Sequence, residues 1–511
     1  MTNVAPQRVD VESGRSASIG ELHGGMTGEK GPTLRMLAGQ TTADILLPII
    51  SGLLLALAFM PPPLGVVAWI ALVPFAAAVA RTKGTLELYA GAYLGGLLFT
   101  LHGQVWMKTR LNGEGLLGSA PVDWFLNGCL LATFWPFTLF LGRRIVACRK
   151  LPMACVLPVI WVCAEFLRQE VGWIISWTPF PWLQLGVTQA SNMHVIQLAD
   201  LGGVWSVAAM VTAVNGALFD AISTRSYRSL IASAGILASV WLYGDFRIRQ
   251  TETRPGPRVA LMHVGVPAPS APIPGADLLL WSETAYPAVI SGPAAEAIAS
   301  LEASAKTVHA TLVIGCLHEE SGRRFNAAAF IDPARGYLGC YHKRFLVPWS
   351  EFTPWSWSDN DDRLPRQLAR GEAYPVFKTG EYTCSATICY DICFDRLFWA
   401  FSPKPDFFVS PSRETSDPTG YVSRMLLNMT RLRAIENRRS FVRNVEDGFS
   451  GIVTSTGEYI APDHQPSNGP ITLVHVPIDD RLAPASLAGD WLPLACLAAC
   501  AALSFRPRPG H

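Results

Sequence analysis

Long apolar runs fill the first half of the chain and return once near its end. A helix that crosses a bilayer needs about 20 mostly apolar residues. Runs of this kind, poor in charge, lie at 43–60, 66–80, 88–107, 124–142, 153–169, 194–221, 230–246 and 491–505. We therefore predict a transmembrane helical bundle of about seven spans at 43–247 and a C-terminal membrane helix at 491–505.

Two segments beside these runs lack the pattern of a membrane helix. Residues 1–42 are polar and rich in Gly, Ser and Thr, without the apolar core of a signal peptide, so we expect a disordered tail there. Residues 171–189, VGWIISWTPFPWLQLGVTQ, are aromatic and interrupted by proline. This composition is typical of an interfacial or re-entrant loop, since Trp and Tyr concentrate at headgroup level.

The pattern changes after the seventh run, where short apolar stretches alternate with helical ones. Strand candidates are VALMHVG, DLLLWSE, TLVIGCL, NAAAFID, YLGCYHK, YTCSATICY and DFFVSPS. Helix candidates are 292–308 and 420–437. Strands mixed with helices over a segment of this length predict a layered α/β domain, which we assign to 257–478.

Lysine and arginine residues lie between alternate runs, which predicts how the bundle sits in the membrane. Cytoplasmic loops carry an excess of these residues. They occupy the tail and follow the second, fourth, sixth and last runs, with Lys108 and Arg110 as the weaker exception. If all the runs span the membrane, these positions share the cytoplasmic side. Residues 257–478 then lie on the extracytoplasmic side, against the outer leaflet.

Composition and charge agree with a membrane protein and exclude some partners. Of 511 residues, 50% are apolar and 16% are charged, whereas a soluble domain carries about 25% charged residues. A formal net charge of +1 gives no electrostatic case for a nucleic-acid partner. The 11 cysteines have no paired metal-type spacing, and their odd number argues against a fully paired disulfide framework. We also find no phosphate-binding loop or dinucleotide fingerprint, so we expect no metal and no cofactor.

Three reactive side chains follow apolar strand candidates in the second half of the chain. Cys389 lies in SATICYDICFD, Glu283 ends LLLWSE, and Lys343 ends GCYHK. A thiol with an ordinary pKa of about 8.5 needs a base or a nearby cation before it attacks. Glu283 supplies a base and later an acid, while Lys343 supplies positive charge for the thiolate and the oxyanion. These parts suit acyl transfer through a thioester at a lipid surface.

Each of these residues also has a plainer interpretation. A cysteine at a strand end is usually a core residue, and a glutamate or a lysine is usually on the surface. The joint occurrence of the three in this order favours a site. Glu351, in YHKRFLVPWSEFTP, then orients Lys343 or accepts a proton from the substrate.

Three segments carry a resemblance to a known superfamily. LWSETAYP, YHKRFLVPWSEFTP and ICYDICFD resemble the catalytic segments of the nitrilase, or carbon–nitrogen hydrolase, superfamily. The resemblance implies an αββα sandwich with a Glu–Lys–Cys triad. By position in the motifs, Glu283 matches the base, Lys343 the cation and Cys389 the nucleophile. Glu351 matches the second glutamate of the superfamily.

Segments of the membrane half resemble one particular family of this superfamily. PPPLGVVAWIALVPF, PFPWLQLGVTQ and QLADLGGVWSVAAMVTAVNGALF are similar to segments of the bacterial apolipoprotein N-acyltransferase family, and so is the Gly-Asp-Trp at 489–491. The resemblance covers 43–505 and implies a phospholipid acyl donor, a diacylglyceryl lipoprotein or other amine acceptor, and a lipid bilayer as partners. It also implies the bacterial inner membrane, with the catalytic domain on the periplasmic side. Tyr390, beside the nucleophile, matches a pocket-forming tyrosine.

Four features depart from the pattern of that family. The 265–276 segment, with PAPSAPIPGA, is shorter than usual, and Trp-Ser-Glu replaces Trp-Pro-Glu. PSRETSDPTG at 411–420 replaces a loop of the Asn-Asp-Ala-Trp-Phe-Gly type. Asp391 replaces a glutamate, which is one methylene longer. We group Asp391 with Glu351 and Tyr390 as supporting or substrate-binding residues.

These departures leave four functions open. The first is N-acylation of lipoproteins. The second is that of a divergent paralogue, for example one associated with plasmid conjugal transfer, that acylates or processes another amine or peptide. The third is a membrane-tethered amidohydrolase that uses water, and the fourth is a non-enzymatic scaffold. The sequence favours the first, because the triad and the membrane motifs agree, and leaves the acceptor and the acyl-chain preference open.

Overall fold

The structure is a computed structural model. It describes residues 34–60, 64–107, 120–176, 178–262, 271–291, 296–348, 350–352, 367–414, 420–462 and 471–505. Residues 1–33 of the predicted tail lie outside the described residues, as do parts of the 265–276 and 411–420 segments. The first helix begins at Leu34, inside the predicted disordered stretch, because its first turns hold Leu, Arg, Met and Ala, which are strong helix formers.

Helices occupy each apolar run of the first half. They are α1 (Leu34–Ala58), α2 (Ala68–Ala71), α3 (Val73–Val79), α4 (Leu86–Gly103), α5 (Ala120–Ala132), α6 (Phe134–Cys148), α7 (Met153–Glu170), α8 (Gly172–Ser176), α9 (Ala199–Thr224) and α10 (Tyr227–Arg249), with 3-10 turns at Leu64–Val67, Leu185–Gln189 and Val195–Leu198. The run at 66–80 is divided at Leu72, and the run at 124–142 at Thr133.

Several of these helices have the length and composition of a membrane span. Thr41–Ala58, Pro121–Cys148, Val195–Thr224 and Tyr227–Arg249 are long and apolar enough to cross a bilayer. Leu64–Val79 and Trp491–Ser504 are shorter apolar helices, and α4 and α7 coincide with the two remaining predicted spans. Only 17% of the apolar window of α10 is buried, and Ile231 and Leu242 on it are exposed. Such a surface fits contact with lipid, while the count of eight spans stays a prediction.

Two glycines break helix α9 near its start. Gly202 and Gly203 leave the helical conformation, and Gly203 has a φ of +64°, in the left-handed region that favours glycine. A Cβ on Gly203 would lie 3.3 Å from Oε1 of Glu436. The break frees the backbone N–H of Val204, which donates to that oxygen at 2.8 Å. A buried hydrogen bond thus joins a membrane helix to the second half of the chain.

The described part of the second half contains two β-sheets. The strands are β1 (Arg254–Met262), β2 (Leu278–Trp281), β3 (Val289–Ile290), β4 (Thr311–Glu320), β5 (Arg323–Asp332), β6 (Gly336–His342), β7 (Phe377–Thr379), β8 (Tyr382–Ala386), β9 (Phe407–Arg413), β10 (Ser440–Glu446), β11 (Gly451–Val453), β12 (Tyr459–Ile460) and β13 (Ile471–Ile478). The first sheet has the order β13-β1-β2-β4-β5-β6, with β3 paired to β4, and the second has the order β12-β11-β10-β9-β8-β7.

Helices also lie in the described residues after β1. They are α11 (Glu296–Val308), α12 (Asp395–Trp399), α13 (Tyr421–Asn437), α14 (Pro484–Ala488) and α15 (Trp491–Ser504). α11 and α13 cover the outer faces of the two sheets, whereas α14 contacts α9 and α15 contacts α7 in the membrane half. α11 packs Leu301 and Ala305 against the first sheet. α13 covers the second sheet and is buried over most of its length, because α9 lies on its other side. Between the sheets, Phe330 stacks on Phe377 with ring centroids 4.0 Å apart. The predicted helical bundle with an αββα sandwich is confirmed.

One irregularity decides which way the side chains of β6 point. The pairing of β6 with β5 shifts by one residue at Leu338 and Gly339, which form a β-bulge, and Gly339 has a φ of +127°. After the bulge, Tyr341 faces the second sheet, whereas Cys340 and His342 face outward. Lys343, which follows His342, faces inward again.

Buried and partly buried ion pairs join the two halves of the molecule. Asp200, at the start of α9, is fully buried and pairs with Arg438, which directly follows α13. Arg396 of α12 pairs with Glu170 at the end of α7 and with Asp490 before α15. Charges removed from water need partners of this kind. The halves therefore pack together where α7, α9 and α15 meet the sandwich.

Candidate active site

The first sheet brings two charged side chains to the same edge. β2 ends at Trp281, shortly before Glu283, and β6 ends at His342, immediately before Lys343. β2 is parallel to β4, and β6 runs the same way because β4–β5 and β5–β6 are both antiparallel. The carboxyl ends of β2 and β6 therefore share one edge, and Glu283 and Lys343 meet there.

Lys343 lies between two carboxylates. Its Nζ is 3.0 Å from Oε1 of Glu283 and 3.0 Å from Oε1 of Glu351. The Lys343 side chain is 1% exposed. Burial alone would lower the pKa of Lys343, but the carboxylates of Glu283 and Glu351 raise it above its usual range. The site therefore holds a stably protonated ammonium group between two acids.

Asn326 on β5 joins the same two carboxylates. Its Nδ2 donates to Oε1 of Glu283 at 2.8 Å and to Oε1 of Glu351 at 2.7 Å. Its backbone carbonyl accepts from the N–H of Lys343 at 2.8 Å. Sequence reasoning missed Asn326, although it is the polar first residue of the otherwise apolar run NAAAFI.

The loop after β6 returns Glu351 to Lys343. Oε2 of Glu351 accepts from the N–H of Val347 at 2.8 Å, and the N–H of Glu351 donates to the Val347 carbonyl at 3.0 Å. One carboxylate oxygen thus holds the loop while the other contacts Lys343. This geometry fits the first of the two roles predicted for Glu351, orientation of Lys343.

Cys389 begins a 3-10 turn (Cys389–Cys393) shortly after β8. Its φ is +48°, a left-handed conformation that costs a non-glycine residue about 1–3 kcal/mol. The residue is 3% exposed, and its thiol donates to the carbonyl oxygen of Arg413 at 3.8 Å. Arg413 is the last residue of β9. The strained turn therefore aims the thiol at the end of the neighbouring strand.

The backbone of Arg413 connects the thiol with the first sheet. Its N–H donates to Oε2 of Glu283 at 2.9 Å, while its carbonyl accepts from the Cys389 thiol. Carboxylate and thiol are therefore held by the two backbone groups of one residue. Sequence reasoning missed Arg413, because a main-chain contact leaves no signal in residue type.

Asp391 ties the turn that begins at Cys389 to the first sheet. Its Oδ2 accepts from the hydroxyl of Tyr341 at 2.8 Å and from the N–H of Ile388 at 3.1 Å. Its Oδ1 accepts from the N–H of Phe345 at 2.8 Å. Burial raises the pKa of Asp391 to about 6, against the opposing charge of Lys343. Asp391 is fully buried, so it holds the turn in place through these hydrogen bonds from inside the protein.

Tyr390 packs beside Cys389. Its ring lies edge-on to Phe394 with centroids 5.0 Å apart, and Phe394 stacks on Phe345 at 3.8 Å. These aromatic contacts connect the turn of the second sheet to the loop that follows β6. Tyr390 therefore supports the same contact between the two sheets as Asp391.

A glycine on β4 lets the segment that carries Glu283 come close. A Cβ on Gly315 would lie 2.1 Å from the carbonyl oxygen of Ser282 and 2.9 Å from Cα of Glu283. The Gly315 carbonyl also accepts from the N–H of Tyr286 at 3.0 Å. A larger residue at this position would displace Glu283 from Lys343. Sequence reasoning missed this requirement too.

The structure brings the predicted side chains into one site. Glu283 and Glu351 both contact Lys343, and Cys389 is joined to Glu283 through one backbone residue. An ammonium group nearby favours the thiolate form of a cysteine, and a carboxylate in contact with the same residue is suited to proton transfer. The arrangement suits nucleophilic attack by a thiol on an acyl carbon.

Two parts of this chain match known protein families. Residues 51–217 match the apolipoprotein N-acyltransferase N-terminal domain, and residues 247–459 match carbon–nitrogen hydrolase. An apolipoprotein N-acyltransferase of Methylococcus capsulatus is 26% identical over 382 residues, which are 69% of this chain and 74% of the relative. One of Geobacter metallireducens is 25% identical over 525 residues, with 92% of this chain and 96% of the relative covered.

Solved structures include similar chains. A CN-hydrolase superfamily protein from Xanthomonas campestris is 16% identical with a TM-score of 0.33, and the match covers 48% of this chain and 97% of that chain.

Proposed function

Because this chain belongs to the apolipoprotein N-acyltransferase family of the carbon–nitrogen hydrolase superfamily, we propose that it N-acylates lipoproteins at a membrane. The acyl donor is a phospholipid, and the acyl group is carried as a thioester on Cys389. The acceptor is the N-terminal amine of a diacylglyceryl lipoprotein. The observation that carries this proposal is the network that joins Glu283, Lys343 and the Arg413 backbone to the thiol.

In the first half-reaction, Glu283 takes the proton of Cys389, and the thiolate attacks the ester carbonyl of the phospholipid. The C–O bond of the ester then breaks, and the leaving alkoxide takes the proton from Glu283. The products are an acyl thioester and a lysophospholipid. Support comes from Arg413, whose backbone holds the carboxylate and the thiol together.

In the second half-reaction, the amine of the lipoprotein attacks the thioester carbonyl, and Glu283 accepts a proton from the amine. The C–S bond breaks, and the thiolate of Cys389 takes that proton, so thiol and carboxylate are both restored. Water attacking the same thioester would waste the acyl group. The 3% exposure of Cys389 disfavours that side reaction.

The other polar residues of the site support these proton transfers. Lys343 supplies positive charge where negative charge develops on the carbonyl oxygen, and its raised pKa keeps it protonated throughout. Asn326 and Glu351 fix the position of Lys343 and of Glu283 through hydrogen bonds of 2.7–3.0 Å. A group that moves a proton reacts faster when it is held in place.

For the location, we propose the bacterial inner membrane, with the sandwich on the periplasmic side. At the end of α15, Arg144 donates to the carbonyl of Ser504 at 3.0 Å, so this helix finishes at a basic end of the bundle. Its start lies beside Asp490, which pairs with Arg396 of the sandwich. The excess of basic residues on cytoplasmic loops supports a cytoplasmic position for the first end and a periplasmic position for the second.

Mass spectrometry of the purified protein in phospholipid vesicles tests the thioester. We expect an acyl mass, removed by hydroxylamine, on the peptide that holds Cys389, and its loss in Cys389→Ala. Cys393→Ala is the matched control, since that thiol ends the same turn and is 1% exposed, and this variant should keep the acyl mass. A wild-type protein that never carries the mass would overturn the mechanism.

The 411–420 segment favours a second candidate with the same thioester but another acceptor. This segment departs from the family pattern and supplies Arg413, whose main chain touches both reactive groups. The acceptor would then be another amine or peptide, or water in an amidohydrolase. Expression in a strain depleted of its own lipoprotein N-acyltransferase separates the candidates. Rescued growth supports lipoprotein acylation, whereas an acyl-enzyme without rescue supports a different acceptor.

A further inference from the structure

Two Cys-x-His pairs lie on the strands that flank β5. β4 carries Cys316 and His318, and β6 carries Cys340 and His342. In the sequence they read Gly-Cys-Leu-His and Gly-Cys-Tyr-His, separated too widely to resemble a metal motif. Both pairs lie on the outer face of the first sheet, which α11 covers in part.

A small residue on β5 lets these side chains meet across the strand. Ala327 pairs with Cys316 on one side and with His342 on the other. Nδ1 of His318 is 2.8 Å from Nε2 of His342. The Cys340 sulfur and a ring nitrogen of each histidine all lie within 4.8 Å of one another.

This cluster is separate from the candidate active site, although β6 contributes to both. Cys340 and His342 face outward, whereas Tyr341 and Lys343 face the second sheet. A ligand bound on the outer face would therefore be separated from Cys389 by the sheet itself.

Two further observations bear on a ligand at the cluster. Nε2 of His318, the ring nitrogen turned away from His342, is buried and has no hydrogen-bond partner within the described part of the chain, so no neighbour fixes the proton on Nδ1, and His318 is 4% exposed. A cavity of about 350 Å³ lies beside it, lined in part by His318, Tyr337 and the turn between β4 and β5. The cavity gives an ion a route to the cluster.

We propose that His318, Cys340 and His342 bind a divalent first-row transition metal of the zinc type. Thiolate and imidazole are ligands that zinc prefers, and three protein ligands leave a fourth position for water. On a tetrahedral zinc with Zn–N bonds of about 2.0–2.1 Å, two nitrogens lie roughly 3.3 Å apart. The rings of His318 and His342, now in contact at 2.8 Å, therefore separate slightly when the ion binds.

Binding exchanges protons for the metal, without oxidation or reduction. The thiol of Cys340, whose sulfur is 3.1 Å from the Tyr337 hydroxyl, releases its proton to solvent. The imidazole that donates the hydrogen bond between His318 and His342 moves its proton from the contacting nitrogen to its other ring nitrogen, through solvent. One lone pair from each ring and the thiolate then face the ion.

Cobalt(II) is the probe, because its thiolate complexes absorb in the near ultraviolet and its visible bands report tetrahedral coordination. With chelator-treated full-length protein in detergent, we expect saturation at one equivalent and displacement by zinc. Cys340→Ser should remove the thiolate band. His318→Gln should weaken binding by at least ~100-fold, since loss of an outer partner of a ligand alone costs 10–100-fold.

Controls exclude two other thiols, the one in the candidate active site and an exposed one. The titration is repeated with Cys389→Ala and with Cys155→Ser, which removes an exposed cysteine, and both should keep the band. Melting curves in chelator show that each variant folds, and the two ligand variants lie on different strands, so either one tests the site. A wild-type protein without the band, or a band that survives Cys340→Ser, overturns the proposal. Because the readout needs no acyl transfer, this result is independent of the proposed function.

Discussion

The two sheets of the sandwich contribute to the site in different ways. The first sheet ends in charged groups that contact one another directly, with Lys343 3.0 Å from both Glu283 and Glu351. The second sheet ends in a thiol on a strained turn, and Cys389 meets Glu283 only through the backbone of Arg413. The charges are therefore organised within one sheet, whereas the approach of the Cys389 thiol to the Glu283 carboxylate depends on how the two sheets dock.

The interface between the two sheets, called the joint below, accordingly contains polar contacts as well as apolar ones. Asp391 of the second sheet accepts hydrogen bonds from Tyr341 and Phe345 of the first. Asn444 on β10 donates to the carbonyls of Met262 and Leu280 at 2.8 and 2.6 Å. A buried network that is satisfied in this way fixes one arrangement, and the predictions below separate effects within a sheet from effects at the joint.

Loss of the charge on Lys343 should have the largest effect. In Lys343→Met, Glu283 and Glu351 stay buried without their ammonium partner, which we expect to cost roughly 3–5 kcal/mol of stability. The rate of acyl-enzyme formation should also fall by about 100- to 1000-fold, as when an oxyanion donor is removed. Thermal melting and acyl-enzyme kinetics measure both. Lys378→Met, at an exposed lysine on β7, is the control, and equal behaviour of the two variants would contradict the assignment.

Glu283→Gln keeps the shape of the first sheet but removes the proposed proton carrier. We expect turnover to fall by at least ~100-fold, the lower range for a general acid–base group, with a smaller loss of stability than in Lys343→Met. Steady-state turnover with phospholipid donor measures the effect. Glu372→Gln, at an exposed residue that pairs with Arg323, should leave turnover unchanged. Unchanged turnover in Glu283→Gln would show that Glu283 is misassigned.

The joint should respond to pH through Asp391. Its pKa of about 6 in the folded protein lies above an unfolded value of about 3.9, so the folded state binds the proton more tightly. This contribution to stability is fully present below about pH 4 and is lost as the pH rises through 6, by about 3 kcal/mol in total. The melting temperature of wild type should therefore fall relative to that of Asp391→Asn, which has no carboxyl to titrate, as the pH rises over that range. A constant difference would mean that the carboxyl does not titrate there.

Tyr341→Phe should have the smallest effect of the series. It removes one hydrogen bond to Asp391 across the joint, which we expect to cost roughly 1.5–3 kcal/mol because the acceptor carries charge. Tyr382→Phe is the matched control, since that hydroxyl donates to the carbonyl of Pro255 at an exposed position, and it should cost less. Melting curves of the two variants test the difference, and the opposite order would argue against a stabilising joint.

The sequence predicts much of the fold, where apolar runs are uninterrupted. All seven predicted strands are confirmed, as β1, β2, β4, β5, β6, β8 and β9, and the helix predicted at 420–437 is observed at Tyr421–Asn437. The other strands of the described residues, β3, β7, β10, β11, β12 and β13, are missed. In β10, SFVRNVE interrupts the apolar pattern with two polar residues that are buried. Arg443 is 1% exposed and pairs with Glu414 at 2.8 Å, a contact that residue type alone does not indicate.

The residues of the candidate site also divide into those that the sequence indicates and those that only the structure shows. The side chains with reactive groups are recognisable, since each follows an apolar strand, whereas Asn326 and Gly315 act through contacts between strands. Residue type gives no sign that the charge-rich end of α13 is buried, yet Arg433, and Arg438 directly after the helix, are 1% and 0% exposed. They are buried because the helix is enclosed between the second sheet and the membrane half, and such enclosure depends on tertiary packing rather than on local pattern.

The bulge at Leu338 shifts the pairing register of β6 by one residue. A strand has two faces, and moving it by one residue exchanges them. Removal of Leu338 alone would leave the pairs from Gly339 onward unchanged, because Leu338 is the extra residue of the bulge. Removal of Cys340, with the bulge retained, would instead turn the ammonium of Lys343 toward α11 and bring the imidazole of His342 toward Glu283. A single codon deletion after the bulge would thus replace a fixed cation by a weak base, with Glu283, Lys343 and Cys389 all still present in the chain.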